Sequence, residues 1–267
     1  MKNPLIAIAA LIVVAGGIAF YVWYGDRHVP PPVTAAAPPA TAAPAEAPPV
    51  APAPPPIQHP LPPPEATAPP LPQLAESDKL TQETVAGLFG HDALTRYFVP
   101  DALVRNFVVT VDNLPRKTAA VRLWPVRPVP GPFAAATANG QLTIAPDNAL
   151  RYRPYLVAME GVEAKRLVAA YVRLYPLFQK AYEELGYPNA YFNDRLMQAI
   201  DDMLATPDVA APVLVQPKVL YEFADPSLEE RSAGQKILLR MGSANAARVK
   251  DKLRAIRKEV VAQAPQS

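Results

Sequence analysis

No cysteine occurs in the 267 residues, which excludes a disulfide-stapled scaffold, a thiolate zinc site and a thiol nucleophile. Histidine is nearly as scarce, at three residues, so a serine-histidine-aspartate arrangement or an imidazole metal site has little to draw on. An excess of one charge is missing too. With 26 basic against 24 acidic side chains, the balance is too even for a polyelectrolyte tail, and no nucleic acid is expected as a partner. No Gly-x-Ser-x-Gly elbow is present, which removes the usual sequence mark of a strand-to-helix serine nucleophile.

What the sequence has in excess is proline: 35 residues, of which 19 fall within residues 29–75 beside 13 alanines. Proline fixes φ and removes a backbone donor, so this stretch is expected to favour extended polyproline II over helix or sheet. At about 3.1 Å per residue it reaches about 145 Å at most. It reads as a disordered Pro/Ala-rich linker acting as a spacer. Docking into an aromatic groove is the other use of such segments, and the shortage of flanking lysine and arginine weakens it.

Ahead of the linker, a run without charge opens at Leu5 and closes at Tyr24. Twenty helical residues at 1.5 Å each span about 30 Å, the thickness of a bilayer's hydrocarbon core. Phe20, Tyr21, Trp23 and Tyr24 suit the headgroup level. They also stand where a signal peptide would carry its small-residue cleavage site, so residues 1–28 are read as an uncleaved transmembrane anchor. Lys2 precedes the run while Asp26 and Arg27 cancel after it, which sets the N-terminus inside and the remainder outside the cytoplasm.

Residues 76–267 carry an ordinary mix of charge and enough chain for one domain. Helical spacing of apolar residues predicts helices over 77–90, 101–113, 163–185 and 191–205, the third with Pro176 inside it and a kink or break expected there. Asp225-Pro226 is an N-cap followed by a first-turn proline, opening a helix that runs to Arg240 and stops at Gly242; Ser243 caps the last helix. Asn139-Gly140 between β-compatible runs predicts a hairpin, and residues 213–223 a further extended segment. The fold class is mainly α: an N-terminal transmembrane helix, a Pro/Ala-rich linker and a helical globular domain with a small β-hairpin element.

Several groupings invite chemistry and each has a plainer reading. Asp194, Asp201 and Asp202 share a helix side and could hold calcium or magnesium, yet a solvated polar face opposite Phe192, Leu196 and Ile200 is the reading preferred. Glu183 and Glu184, followed by Tyr187 and Tyr191, are the residues a glutamate-dependent glycan hydrolase would use, although adjacent glutamates diverge on a helix and are no preformed pair. His91 reads as a capping or surface residue. Two basic groupings, Arg116, Lys117, Arg122 and Arg127 with Arg151 and Arg153, and Lys250, Arg254, Arg257 and Lys258 along the last helix, suit an anionic polymer, lipid or acidic protein, or simply water. No metal or cofactor is expected, and no catalytic residue is assigned.

The ordered segments Tyr191-Phe-Asn-Asp-Arg195, Gln216-Pro-Lys-Val-Leu-Tyr-Glu-Phe-Ala-Asp-Pro226, Ser232-Ala-Gly-Gln-Lys236 and Leu239-Arg-Met-Gly242 resemble the bacterial domain-of-unknown-function 3014 family. Val111-Asp-Asn-Leu-Pro115 and Arg127-Pro-Val-Pro-Gly131 agree, and the likeness spans about residues 74–260. The resemblance implies a bacterial envelope protein with a membrane-proximal anchor and no established activity. Within those segments Asn193, Asp194, Arg195, Gln216, Lys218, Gln235 and Lys236 are polar among strongly apolar neighbours. Buried polar groups must be paired, so an Asp194-Arg195 network with these amides is one explanation and a partner or ligand cleft the other. The expectation is therefore a non-enzymatic protein crossing the inner membrane once through Leu5 to Tyr24. Its C-terminal domain would lie in the periplasm and contact an envelope protein or the cell wall.

Overall fold

The computed structural model describes residues 56–63 and 68–264, and the expected membrane span and most of the expected linker lie outside them. Among the described residues no helix is long and apolar enough to cross a membrane. In chain order come α1 (Asp78–Phe89), α2 (His91–Tyr97), α3 (Leu103–Asn113), β1 (Ala135–Ala138), β2 (Gln141–Ile144), α4 (Pro146–Leu150) and α5 (Arg153–Glu160). There follow α6 (Ala164–Glu184), α7 (Phe192–Leu204), β3 (Leu214–Val215), β4 (Glu222–Phe223), α8 (Pro226–Glu229), α9 (Ala233–Met241) and α10 (Ser243–Val261). The domain is thus mainly helical with small antiparallel β elements, as the periodicity predicts.

The long helix α6 is the centre, packed by α3, α7 and α10, while α9 closes the other side of α7 and α10. Its apolar stripe of Leu167, Tyr171, Leu174, Phe178 and Tyr182 is buried. Those spacings of three and four put one face inward. Phe107 of α3, Tyr171 and Phe178 of α6 and Phe192 of α7 form a ring cluster, with Phe107–Phe178 at 5.1 Å and Phe178–Phe192 at 5.8 Å between centroids. Such tilted and offset contacts are the arrangement aromatic quadrupoles favour.

Several predicted boundaries move, each for a local reason. Helix α6 runs through Pro176 without a break, because the residues on both sides are locked in the core and the proline removes one backbone bond only. The helix expected from residue 226 to 240 is two: α8 stops after one turn and α9 restarts after Ser232, whose hydroxyl accepts from the amide of Gln235 at 3.1 Å. Asp225 caps α8 as predicted, accepting from Ser227 N. Ser243 is no cap. Gly242, at φ +86°, holds that position, and Ser243 is the first helical residue. Ser77 precedes α1, but its hydroxyl donates backward to the carbonyl of Leu74 instead of capping forward. Helices α2, α4 and α5 carry too few apolar repeats to stand out in the sequence.

Asn139 and Gly140, both at positive φ, turn β1 into β2, the backbone that an Asn-Gly hairpin requires. β3 pairs with β4 and touches β2 through the Thr143–Val213 bridge. These strands enclose a second, small core of Leu214, Phe223, Leu228 and Leu239.

The packed unit also extends ahead of residue 76. Leu61 and Leu71, at the end of the Pro/Ala-rich region, lie against the main core, and Leu74 belongs to it. The proline-rich end is therefore built onto the helical domain.

Candidate functional site

The first turn of α7 is where the chain entering from the linker is held. Residue 191 has no side-chain cap. Instead Gln179 of α6 reaches across, its Oε1 accepting from Phe192 N at 2.8 Å and its Nε2 donating to the Ala190 carbonyl at 2.9 Å. An unsatisfied helix end is thus closed by a neighbouring helix. This fixes Asn193 and Asp194 in place. Asn193 is buried; its Oδ1 accepts from the Tyr171 hydroxyl at 3.0 Å and its Nδ2 donates to the carbonyl of His59 at 2.7 Å. Asp194 accepts from the successive backbone amides of Gln58 (3.1 Å) and His59 (2.7 Å), and its Oδ1 lies 3.2 Å from the His59 Nδ1. Burial raises the Tyr171 hydroxyl well above the ordinary phenol range and pushes Tyr175 up to about 12. Both therefore stay protonated at neutral pH, and Tyr171 serves as a donor.

Arg195, one residue on, points elsewhere. Its Nε donates to Asp112 Oδ1 of α3 at 3.0 Å and its guanidinium to the Asp112 carbonyl. Successive helical residues diverge by about 100°, so the expected Asp194-Arg195 network does not form. Asp112 is buried and also holds Arg116 at 2.8 Å, and Arg116 reaches the Tyr187 hydroxyl. The same corner receives the start of α9: the amides of Ala233 and Gly234 donate to the carbonyls of Arg116 and Leu114. A Cβ at Gly234 would stand 2.9 Å from Met203 Cγ and 3.3 Å from the Leu114 carbonyl, so only glycine admits this approach. Gln235, also buried, donates to the carbonyl and Oδ1 of Asp202, and Ser232 donates to Asp202 Oδ2 at 2.6 Å. Burial raises the Asp202 carboxyl above its ordinary range, opposed by the Ser232 bond and by Arg195 and Arg231.

The remaining predicted residues belong to the small β core. Lys236 donates to the Glu229 carbonyl at 3.1 Å and to its Oε1 at 2.9 Å, while Glu229 Oε2 accepts from Phe223 N. The buried Arg240 lies over the Phe223 ring, 4.9 Å from its centroid. Gln216 and Lys218 are exposed on the β3–β4 turn, where Gln216 bonds the Val219 carbonyl. Val215 and Val219 stand out beside them, 42% and 64% exposed. The seven predicted residues thus serve three places: Asn193 and Asp194 hold the entering chain, Arg195 and Gln235 bind the α3–α7–α9 corner, and Gln216, Lys218 and Lys236 belong to the β hairpin and its flank.

The other groupings are dispersed. Asp194, Asp201 and Asp202 have separate partners, Asp201 pairing with Arg257 at 2.7 Å, and no carboxylate or histidine cluster fit for a metal occurs among the described residues. Glu184 pairs with Arg105 at 2.7 Å, and Glu183 accepts from Gln179. Arg151 is taken up by the carbonyls of Val129, Pro130 and Gly131. On α10, Arg254 pairs with Asp251 and Lys250 bonds the Thr206 carbonyl; both line a cleft of about 260 Å³ with Asp208, Leu238 and Leu239. His91 is exposed at the start of α2. What the sequence reading missed is the strap, Gln58, His59 and Leu61. Its signal was there: a Gln-His pair, and Pro-Leu-Pro at residues 60–62 and again at 70–72, interrupt an otherwise featureless stretch.

The family model described as a protein of unknown function, DUF3014, matches residues 103–257, from the start of α3 into α10. It takes in Asn193 and Asp194 and leaves out the strap they hold. No curated protein and no solved structure matches the chain.

Proposed function

The chain belongs to the DUF3014 family, and from that premise we propose that it is a membrane-anchored adaptor or binding protein of the bacterial envelope. In this reading the chain crosses the inner membrane once at Leu5 to Tyr24 and carries the helical domain into the periplasm on a Pro/Ala-rich arm. There the domain contacts another envelope protein or the cell wall.

The observation that carries the reading is the grip on the arm. An enzyme of small diffusing substrates gains nothing from a clamped tether, whereas an adaptor must present one face to its target. Asp194 and Asn193 hold residues 58–59 at the first turn of α7, and the β3–β4 hairpin follows the last. The thirteen residues of α7 separate the two ends by about 20 Å. The exposed Val215 and Val219 sit on the hairpin side, which makes the β3–β4 turn the face offered to a partner.

Two measurements on the full chain test this. A C-terminal reporter that requires export should be active, and one that requires the cytoplasm silent; the reverse would overturn the topology. Full chain in detergent, mixed with isolated cell-wall sacculi, should either co-sediment or, by crosslinking through the β3–β4 turn, capture an envelope protein. Release of soluble glycan fragments would replace the adaptor with the hydrolase reading and direct attention to Glu183 and Glu184.

A further inference from the structure

We propose that the surface formed by Asn193 and Asp194 is a receptor for a bent, proline-flanked peptide of a partner protein, and that residues 57–61 are its resident ligand in cis. The proposal deepens the adaptor reading and rests on it for the partner lying outside this chain.

The chemistry of the ligand is legible from the segment that fills the site. Between Pro56 and Pro60 only Ile57, Gln58 and His59 carry backbone donors, and two of the three are taken by the Asp194 carboxylate. Paired successive N–H groups converging on one anion form a recurrent anion-binding arrangement. The one carbonyl bond comes from Asn193 to His59. Three of the contacts thus read main chain, presented by the bend at Gln58 and His59, and the His59 ring and Leu61 add the side-chain selection. Proline on either side restricts the segment before it binds, which lowers the ordering cost of recognition.

A second Pro-Leu-Pro, ten residues on, packs a half-buried Leu71 against the main core, and Arg173 of α6 donates to the Pro69 carbonyl just before it. The strap on Asp194 is partly open to solvent at its leading edge: Ile57 is 45% exposed, and the Gln58 bond faces solvent.

A resident segment competes through its effective concentration, which is in the millimolar range for short connections. For a peptide that binds the empty site at about 100 μM, a strap present at about 1 mM weakens apparent binding about tenfold. The experiment uses full chain in detergent and a fluorescent peptide of the sequence Pro-Ile-Gln-His-Pro-Leu-Pro-Pro, read by anisotropy. The strap-weakened chain His59→Gly/Leu61→Ser should bind it about tenfold more tightly than the unaltered chain, and adding Asp194→Ala should abolish the gain. In the unaltered chain, which needs no variant to fold, excess peptide should speed amide exchange at Gln58 and His59 severalfold. Equal binding by both chains together with unchanged exchange overturns the proposal. So does concentration-dependent dimerisation of the unaltered chain that Asp194→Ala removes, which would assign the site to the strap of a second copy. Neither outcome touches the topology and co-sedimentation results, so the adaptor reading stands or falls separately.

Discussion

The helical core and the small β core are held together by different means. Around α6 the apolar stripes of α3, α7 and α10 meet, and the ring cluster of Phe107, Phe178 and Phe192 lies at their junction. Under the hairpins only Leu214, Phe223, Leu228 and Leu239 are buried as a second cluster, and Glu229, Lys236 and Arg240 surround them. Apolar area is plentiful in the first and scarce in the second. Where it is plentiful, polar side chains are free to join segments and grip the entering chain; where it is scarce, they must hold the local structure itself.

The most severe way to test this division is to hollow the ring cluster. Phe178 is fully buried and touches three other rings, so Phe178→Ala is expected to cost about 3–5 kcal/mol. That is a large part of the 5–15 kcal/mol typical of a domain. Denaturant unfolding should show one transition at a much lower midpoint, with helix and hairpin signals lost together. A helical transition left in place would mean that the helices do not share one core.

The α3–α7–α9 corner should come next. Asp112 is buried between Arg195, 15% exposed at the side chain, and Arg116, 48% exposed. Asp112→Ala strands Arg195 while Arg116 recovers water, so about 2–3 kcal/mol is expected. Removing Arg195 as well should cost little more, because the uncompensated charge goes with it. A double-mutant cycle measures that coupling.

A smaller and more local effect is expected in the β core. Glu229 is 30% exposed at its side chain and joins Lys236 to the Phe223 amide. Glu229→Gln keeps an acceptor for Phe223 N but loses the ion pair, at about 1 kcal/mol after solvent screening. Amide exchange over residues 213–223 should quicken while that of α6 is unchanged, as expected of a unit that opens alone. Equal acceleration in α6 would erase the distinction between the two cores.

Much of this architecture was legible because it rests on local spacing. The stripe of α6 and the Asn139-Gly140 turn follow from the order of residues alone, as does the Asp225 cap. Pro176 misled because its cost is local and its compensation tertiary. The polar residues in the family-like segments were found as a set, but their partners were not. Asp112 lies 83 residues from Arg195, and His59 lies 135 from Asp194. No periodicity encodes such pairs, and adjacency in sequence suggested the wrong one, Asp194 with Arg195. The strap is masked by the proline content of residues 29–75, in which Gln58, His59 and Leu61 carry the contacts.

The mildest test of the comparison lies in the acid range, at the point where α7 hands over from one core to the other. Burial raises the Asp202 carboxyl above its ordinary range despite the Ser232 bond, so the folded chain holds this proton to higher pH than the unfolded chain does. Between the ordinary carboxylate value and the raised one, the folded state binds more protons, and this group's contribution to stability declines as pH rises; above the raised value it is constant. Asp202→Asn has no proton to lose and keeps an acceptor for Ser232. Thermal midpoints of the two chains should therefore diverge in favour of the asparagine form as pH climbs through that window, then run parallel. Glu160 gives the opposite slope on the surface of the helical core, because its bond to Arg248 lowers its carboxyl below the ordinary range. Stability from that pair is present above the ordinary carboxylate value and lost as pH falls through the lowered one. Curves for Asp202→Asn and the unaltered chain that stay parallel throughout would mean that water reaches Asp202, and that the corner between the two cores is open rather than packed.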